Sequence, residues 1–309
     1  MTYAQNAWAS RELLEHFASL GPDTDPGIDL MLLPIGELEP GLMETLDWPG
    51  NPHLTLGPRK LFTDGAFQLQ TAYLSRPYHQ PINRQYPRGM PYVAEKDHRR
   101  EVRKLHDLGH QIHCHCNGDA GADMFLDAVA AALEHNPRPD HRHTIIHGQT
   151  LRDDQLERMA ELGVTVSFFS AHIHFWGDRH RSTFLGPERA SRLSPAASAE
   201  RFGVRYTLHN DASVTPTRPL HLAHCAINRT TSSGQVLGED QRISVLSALR
   251  AQTIDAAWQV FQEDRRGSIE PGKVADLAVL SDNPIADSEN LLDLSVTMTV
   301  RQGEVVYSQ

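Results

Sequence analysis

Four short apolar runs in this chain finish on a histidine or an aspartate. GHQIHCHCNGD (109–119) carries His115, HTIIHGQ (143–149) carries His147, GVTVSFFSAH (163–172) carries His172, and GVRYTLHND (203–211) carries Asp211. Two earlier runs, GIDLMLLPI (27–35) and RKLFTDG (59–65), share the apolar character. Helical spacing of apolar residues fills the segments between: EKDHRREVRKLHDLG (95–109), DAGADMFLDAVAAALEHN (119–136), LRDDQLERMAELG (151–163) and ISVLSALRAQTIDAAWQVF (243–261). Strand alternating with helix implies βα units around a parallel sheet. Polar groups gathered at the C-terminal ends of successive strands mark the face on which a (β/α)8 barrel builds its active site. Buried histidines and carboxylates need partners, so packing alone does not explain four on successive strands.

The chain has 309 residues, 39% hydrophobic and 22% charged, enough for one large domain or two modest ones. A net charge of −10 disfavours nucleic acid and anionic membrane as partners. No apolar run approaches the ~20 residues of a membrane span. Three cysteines, two of them in HCHC, make no disulfide framework and suit a reducing compartment, so a cytoplasmic location is expected. The N-terminal MTYAQNAWASRELLEHF lacks the pattern of a secretory signal and reads as the start of a helix, with Ser10 as its N-cap. Residues 73–93, rich in Pro, Tyr and Arg, form a long loop placed to cover the mouth of a barrel. After about residue 262 the pattern changes to short strands and turns, which predicts a small β module over 263–309.

HCHCNGD (113–119) suggests a self-contained metal cluster. Alternation along a strand argues against it, because it sends Cys114 and Cys116 to the face opposite His115. His113 shares the face of His115, as a partner of the site or as a packed residue. Asp119 is expected to cap the helix that follows. If HCHC were a structural zinc site, replacing both cysteines with serine would unfold the protein; little effect is expected.

The words KLFTDGAFQLQTAYLSRPY (60–78), HCNGDAGADMFLDA (115–128), HTIIHGQ (143–149), LHNDASVTPTRPL (208–220), TIDAAW (253–258) and GSIEPGKVADLAVLS (267–281) occur in one order along the chain. Together they resemble the amidohydrolase superfamily, in its YtcJ-like branch, amidohydrolase family 3. The resemblance implies a TIM-barrel metal-dependent hydrolase acting on non-peptide or cyclic amides of small molecules. It implies one or two divalent ions, zinc foremost, held by His115, His147 and Asp211, with Lys60 as a carboxylated lysine bridging two metals. Neutral imidazole and carboxylate suit zinc, and zinc brings the pKa of bound water to about 7. Asp211 is the expected proton carrier. His172 is a candidate substrate contact or transition-state stabiliser, His209 a group flanking Asp211 that touches substrate or orients it, and Arg189 either a partner for a substrate carboxylate or a solvated helix residue.

The family's strand 1 carries an HxH pair, and HCH, HRH (141–143) and HIH (172–174) all fall too late in this chain to be that pair. A barrel of ~250 residues gives ~30 per βα unit, so about 90 residues would precede the Lys60 strand; 59 do. GIDLMLLPI is therefore expected to be strand 3 of an open, six-stranded barrel over 1–262 that lacks strands 1 and 2. Residues 263–309 are expected to be part of a composite β-sandwich. Open sheet edges predict homo-oligomers or other association. The competing expectation is a truncated or degenerate amidohydrolase without catalysis, at most a binding subunit.

Overall fold

A computed structural model describes residues 1–36, 50–286 and 289–309. Strands β1 (Tyr3–Ala9), β2 (Asp29–Pro34) and β3 (Leu54–Leu56) form one parallel sheet in that order. Strands β4 (Arg59–Phe62), β5 (Ile112–Cys116), β6 (Thr144–His147), β7 (Thr165–Phe168) and β8 (Tyr206–Leu208) form a second, also parallel and in chain order. A parallel bridge between Ile35 and Lys60 joins β2 to β4, and the Gly36 N–H donates to the Lys60 carbonyl at 2.9 Å. The two sheets thus continue one another, as an α/β fold requires.

All six apolar runs are strands; β1 precedes them, and β3 falls between the first two. GIDLMLLPI is therefore not the first strand, which corrects the expected six-strand order. The reason is chemical: YAQNAWA buries only Ala9, so it carries no apolar run. Its place is set by backbone pairing with β2, from Tyr3 opposite Asp29 to Asn6 opposite Leu32. The helix expected at the N-terminus starts after this strand, as α1 (Arg11–Ala18), and the Ser10 hydroxyl accepts from the Leu13 N–H at 3.3 Å, as predicted.

Helices α2 (Glu95–Asp107), α3 (Asp119–His135) and α4 (Asp153–Leu162) lie where periodicity predicts and pack on one another outside the strands. Downstream come α5 (Ala171–Arg179), α6 (Pro187–Ser191), α7 (Ala196–Arg201) and α8 (Pro219–Asn228). The single helix expected over 243–261 is two, α9 (Val245–Arg250) and α10 (Ile254–Gln259). The Ala251 carbonyl between them accepts from Leu208 N–H at the end of β8 instead of continuing a helix. The break lets Gln259 close the floor beneath the strands: its amide donates to Thr207 at 3.2 Å and its carbonyl accepts from Gln111 at 2.7 Å.

The main core fills the space between strands and helices, with Leu61, Ile112, Cys114, Cys116, Ile145, Val166 and Phe168 facing Val102, Leu105, Phe125, Leu126 and Val129. Both cysteines of HCHC thus point away from the strand interior, as alternation requires. A second cluster joins the 73–93 loop (Leu74, Tyr78) to Phe67, Ile173, Phe184 and Leu193, so the loop covers the strand ends on that side.

Strands β9 (Leu277–Leu280), β10 (Val296–Arg301) and β11 (Glu304–Ser308) form an antiparallel sheet. Gln302 and Gly303 both have positive φ, the two-residue turn that matches strand twist. This sheet is fastened to β2 by charge. Arg301 and Arg266 donate to the two carboxylate oxygens of Asp29 at 3.1 and 2.8 Å, and all three side chains are buried. Removing one member of such a set costs about 3–5 kcal/mol, because it strands the others without a counter-charge.

Candidate functional site

Three imidazoles form a hydrogen-bonded chain across the ends of β5, β6 and β8. The His115 Nε2 lies 3.1 Å from the Gly65 carbonyl, which can only accept, and 3.2 Å from the Asn117 side-chain amide, which can only donate; the carbonyl is the nearer, and we assign the proton to that nitrogen. Its Nδ1 then accepts from His147 Nε2–H at 2.9 Å. His147 Nδ1 accepts in turn from His209 Nε2–H at 3.0 Å, and His209 Nδ1 accepts from the Ser167 hydroxyl at 2.8 Å. In that tautomer every proton of the run points the same way. Burial holds His115 and His209 down to about 3 and His147 well below the ordinary imidazole value, so all three are neutral.

Neither His147 nor Asp211 is placed by strand alternation. On β6 the phase of His147 is that of Ile145, which faces the outer helices. A φ of 81° at His147 turns its ring inward to join residues of the opposite phase. Asp211 also has a left-handed backbone, at φ 50°. Such conformations cost about 1–3 kcal/mol each and concentrate at functional sites.

Asp64 holds the ends of β4 and β5 together. Its carboxylate accepts from the N–H groups of Asn117 (2.9 Å), Gly118 (2.7 Å) and Tyr73 (2.8 Å). Burial pushes this carboxyl up to about 7 against those three donors. Since His115 is neutral, its 3.7 Å approach to Asp64 is not an ion pair. The Asn117 side-chain amide donates to the Gly65 carbonyl at 2.9 Å and steadies the same corner. Gly118 is required by space: a Cβ there would stand 1.9 Å from the Tyr73 carbonyl oxygen. Gly118→Ala is expected to destabilise the protein by about 2–3 kcal/mol or more, since backbone rather than a side chain must move. A urea midpoint equal to that of the parent would refute this.

Lys60 lies opposite His113 on the inner face of β4, buried, and burial holds its ammonium down to about 8. Asp211 opposes that shift, and Lys60 in turn pulls down an Asp211 carboxyl that burial raises. Among the described residues, both ring nitrogens of buried His113 are without a hydrogen-bond partner.

His172 is not at the strand end where it is expected but in the first turn of α5, four residues beyond Phe168, the last residue of β7. Its Nδ1 pairs with His180 Nε2 at 3.1 Å and its Nε2 faces the Gln68 amide at 3.3 Å. Phe169 separates it from His147 and His209. Arg189 stands apart from the rings: its guanidinium donates to the carbonyls of Leu185 (2.9 Å) and Pro77 (2.8 Å) and so fastens the 73–93 loop. Asp119 is no cap. Helix α3 is capped at Gly118, and the Asp119 carboxylate accepts from Ser75 N–H (2.9 Å), the Ser75 hydroxyl and Arg152 (3.2 Å). Sequence reasoning missed Ser167, Asn117, Gln68 and His180. Only Ser167 had a signal, as a polar residue in the inward phase of an apolar strand.

A tetrahedral ion with bonds of about 2.0–2.1 Å separates two imidazole nitrogens by roughly 3.3 Å. His115 Nδ1 and His147 Nε2 stand 2.9 Å apart with neutral rings, so a small shift admits an ion between them. Among the described residues no three His, Cys, Asp or Glu side chains are arranged to hold a metal ion. The fit is therefore that of a two-nitrogen seat, near which Lys60 and Asp211 act electrostatically.

Among the described residues, no helix is long and apolar enough to cross a membrane. The sequence profile of the Amidohydrolase family matches residues 5–307, starting well before the first resembling word at Lys60. YtcJ of Bacillus subtilis (strain 168) is 27% identical over 274 residues, 86% of this chain and 50% of that protein. The N-substituted formamide deformylase of Arthrobacter pascens is 28% identical over 206 residues, 65% of this chain and 37% of that protein. The chain thus spans about half the length, or less, of these curated relatives. In fold it is similar to the crystal structure of an uncharacterized metal-dependent hydrolase from Pyrococcus furiosus, with a TM-score of 0.72 at 24% identity over 87% of this chain and 54% of that one. With the profile matched along nearly its whole length, the chain belongs to the amidohydrolase family, in its YtcJ-like branch.

Proposed function

We propose that this chain carries the site of a metal-dependent hydrolase that cleaves C–N bonds other than peptide bonds in small amides. In this reading residues 1–262 belong to a (β/α)8 barrel and 263–309 to a small β module. The observation that carries it is the His115–His147 pair: two neutral imidazoles from adjacent strands, 2.9 Å apart, one turned inward by a left-handed backbone. The formamide deformylase among its relatives supports the C–N bond.

His115 Nδ1 and His147 Nε2 would hold the ion, with Asp211 and Lys60 completing its surroundings. When bound, a divalent metal, zinc by the nitrogen donors, supplies Lewis acidity that brings water toward a pKa of about 7 and polarises a carbonyl. The rest falls to the chain. Asp211, its carboxyl raised by burial, takes the proton from the attacking water and delivers it to the leaving amine. His172, oriented by His180, accepts from the Gln68 amide at Nε2 and so aims the other N–H of that amide at the substrate carbonyl. Lys60, held down to about 8, keeps a fraction of free amine at neutral pH, the form that CO2 carboxylates.

The test is to load the purified chain with zinc, cobalt or manganese, measure bound metal by elemental analysis, and follow amine release from N-substituted formamides and acetamides. One or two ions per chain with amine release is the expected result. No stoichiometric metal and no release would favour the second reading, a fold retained without catalysis, for which the lack of a three-donor group among the described residues speaks.

A further inference from the structure

Three aromatic side chains from three separate segments meet beside His115. Phe62 shares the inward phase of Lys60 on β4, and its ring centroid is 5.4 Å from that of His115. Trp8, at the end of β1, lies 4.9 Å from Phe62 and is tilted by 56°. Tyr92, at the end of the long loop, lies 5.4 Å from Phe62, and its backbone N–H donates to the Thr63 carbonyl at 2.7 Å. These separations and tilts are those of favourable ring pairs.

Their exposure is what packing does not explain. Trp8 is 55% and Tyr92 63% exposed, although both touch the half-buried Phe62. Burying a large apolar side chain is favourable, so an open wall of two rings is a gain left for something else to realise. Phe62 forms the floor of this wall. The Lys60 ammonium lies 5.2 Å from its ring centroid, so the floor reaches the interior of the site.

We propose that Trp8, Phe62 and Tyr92 form a subsite for an aromatic group of the substrate, carried one or two bonds from the reacting carbonyl. This rests on the reading of His115 and His147 as the reacting end and deepens it. The chain then selects aryl or arylmethyl amides over small alkyl ones by covering the ring between Trp8 and Tyr92 against Phe62.

The test is calorimetric binding to the full chain as purified, with N-benzylacetamide and N-methylacetamide as probes. The benzyl probe should bind at least about tenfold more tightly. In Trp8→Ala and in Phe62→Leu that preference should fall to about threefold or less. Tyr92→Ala, at a largely exposed position, provides a variant whose folding is not at risk and should show the same trend. Equal affinity for both probes in the parent protein, or a preference that survives in folded variants at Trp8 and Tyr92, overturns the proposal. Binding is read without turnover, so it stands or falls apart from catalysis. If metal and amine release are absent while the benzyl preference holds, the hydrolase reading fails and the subsite remains.

Discussion

His147→Ala is expected to lower the affinity of the protein for zinc by at least about 100-fold, and with it any amide hydrolysis. The estimate follows from the geometry. Outer partners of metal-ligating histidines are worth about 10–100-fold in affinity, so a ligand itself exceeds that range. Ser167→Ala gives the graded contrast. With His115 protonated at Nε2, the Ser167 hydroxyl donates to His209 at the far end of the chain of rings. An ion between His115 and His147 needs the lone pair of His147 Nε2, so the His147 proton must move to Nδ1. His209 then donates to Ser167, and the serine becomes an acceptor. Alanine removes that acceptor, and a loss of about tenfold is expected. Competition with a chromophoric chelator reads both numbers. A His147→Ala protein that holds zinc as the parent does would end the assignment of the seat.

Acid should unfold the protein well above the range in which its carboxylates titrate. Burial holds His98 at about 4 and His180 at about 3, and lowers His106, His141 and His143 as well. The unfolded chain takes up protons at these rings near pH 6.5, whereas the folded chain does not until far lower. Stability is therefore fully present above about pH 6.5 and falls steadily as pH drops toward the folded values. His98 and His180 contribute up to about 2.7 kcal/mol per pH unit across that window, and Asp64, whose carboxyl burial raises to about 7, offsets about half of it, so the remaining loss falls to the other buried rings as well. Against a total of about 5–15 kcal/mol, two units suffice for a large loss. The lower trio explains why native uptake is resisted. His143 Nδ1 accepts from Ile112 N–H at 3.1 Å, and His141 Nδ1 accepts from His143 N–H at 2.9 Å, so a second proton would set N–H against N–H. Melting temperatures from pH 7 to 4.5 measure this, and a flat profile down to pH 5 would contradict it.

Much of this arrangement was legible in the residues. The six apolar runs are parallel strands in the expected order, and HCHC divides by alternation into inner histidines and outer cysteines. What could not be read depends on backbone that departs from the regular period. His147 was picked out by its place in a word, but alternation alone sends it to the wrong face, and only φ 81° brings it to His115. β1 was missed because an edge strand placed by main-chain pairing needs no apolar signature. Asp119 has the position of a cap, yet Ser75 and Arg152, 44 and 33 residues away, compete for it and win. His209 was expected only to flank Asp211. Its bond to His147 spans 62 residues, and nothing local announces it.

The clasp of Asp29 by Arg266 and Arg301 bears on the order in which the molecule assembles. Arg266 meets Asp29 across a sequence separation of 237 residues. Closing a flexible loop of that length costs about 5 kcal/mol of chain entropy, against small closures for neighbouring βα units. The clasp should therefore form after the strands from β4 to β8 have already brought its halves near, and be the last step of folding. By the same reasoning it is the first tie to open under denaturant. Amides of β9–β11 should then exchange with solvent through a low-energy opening while those of β5 and β6 exchange only on global unfolding.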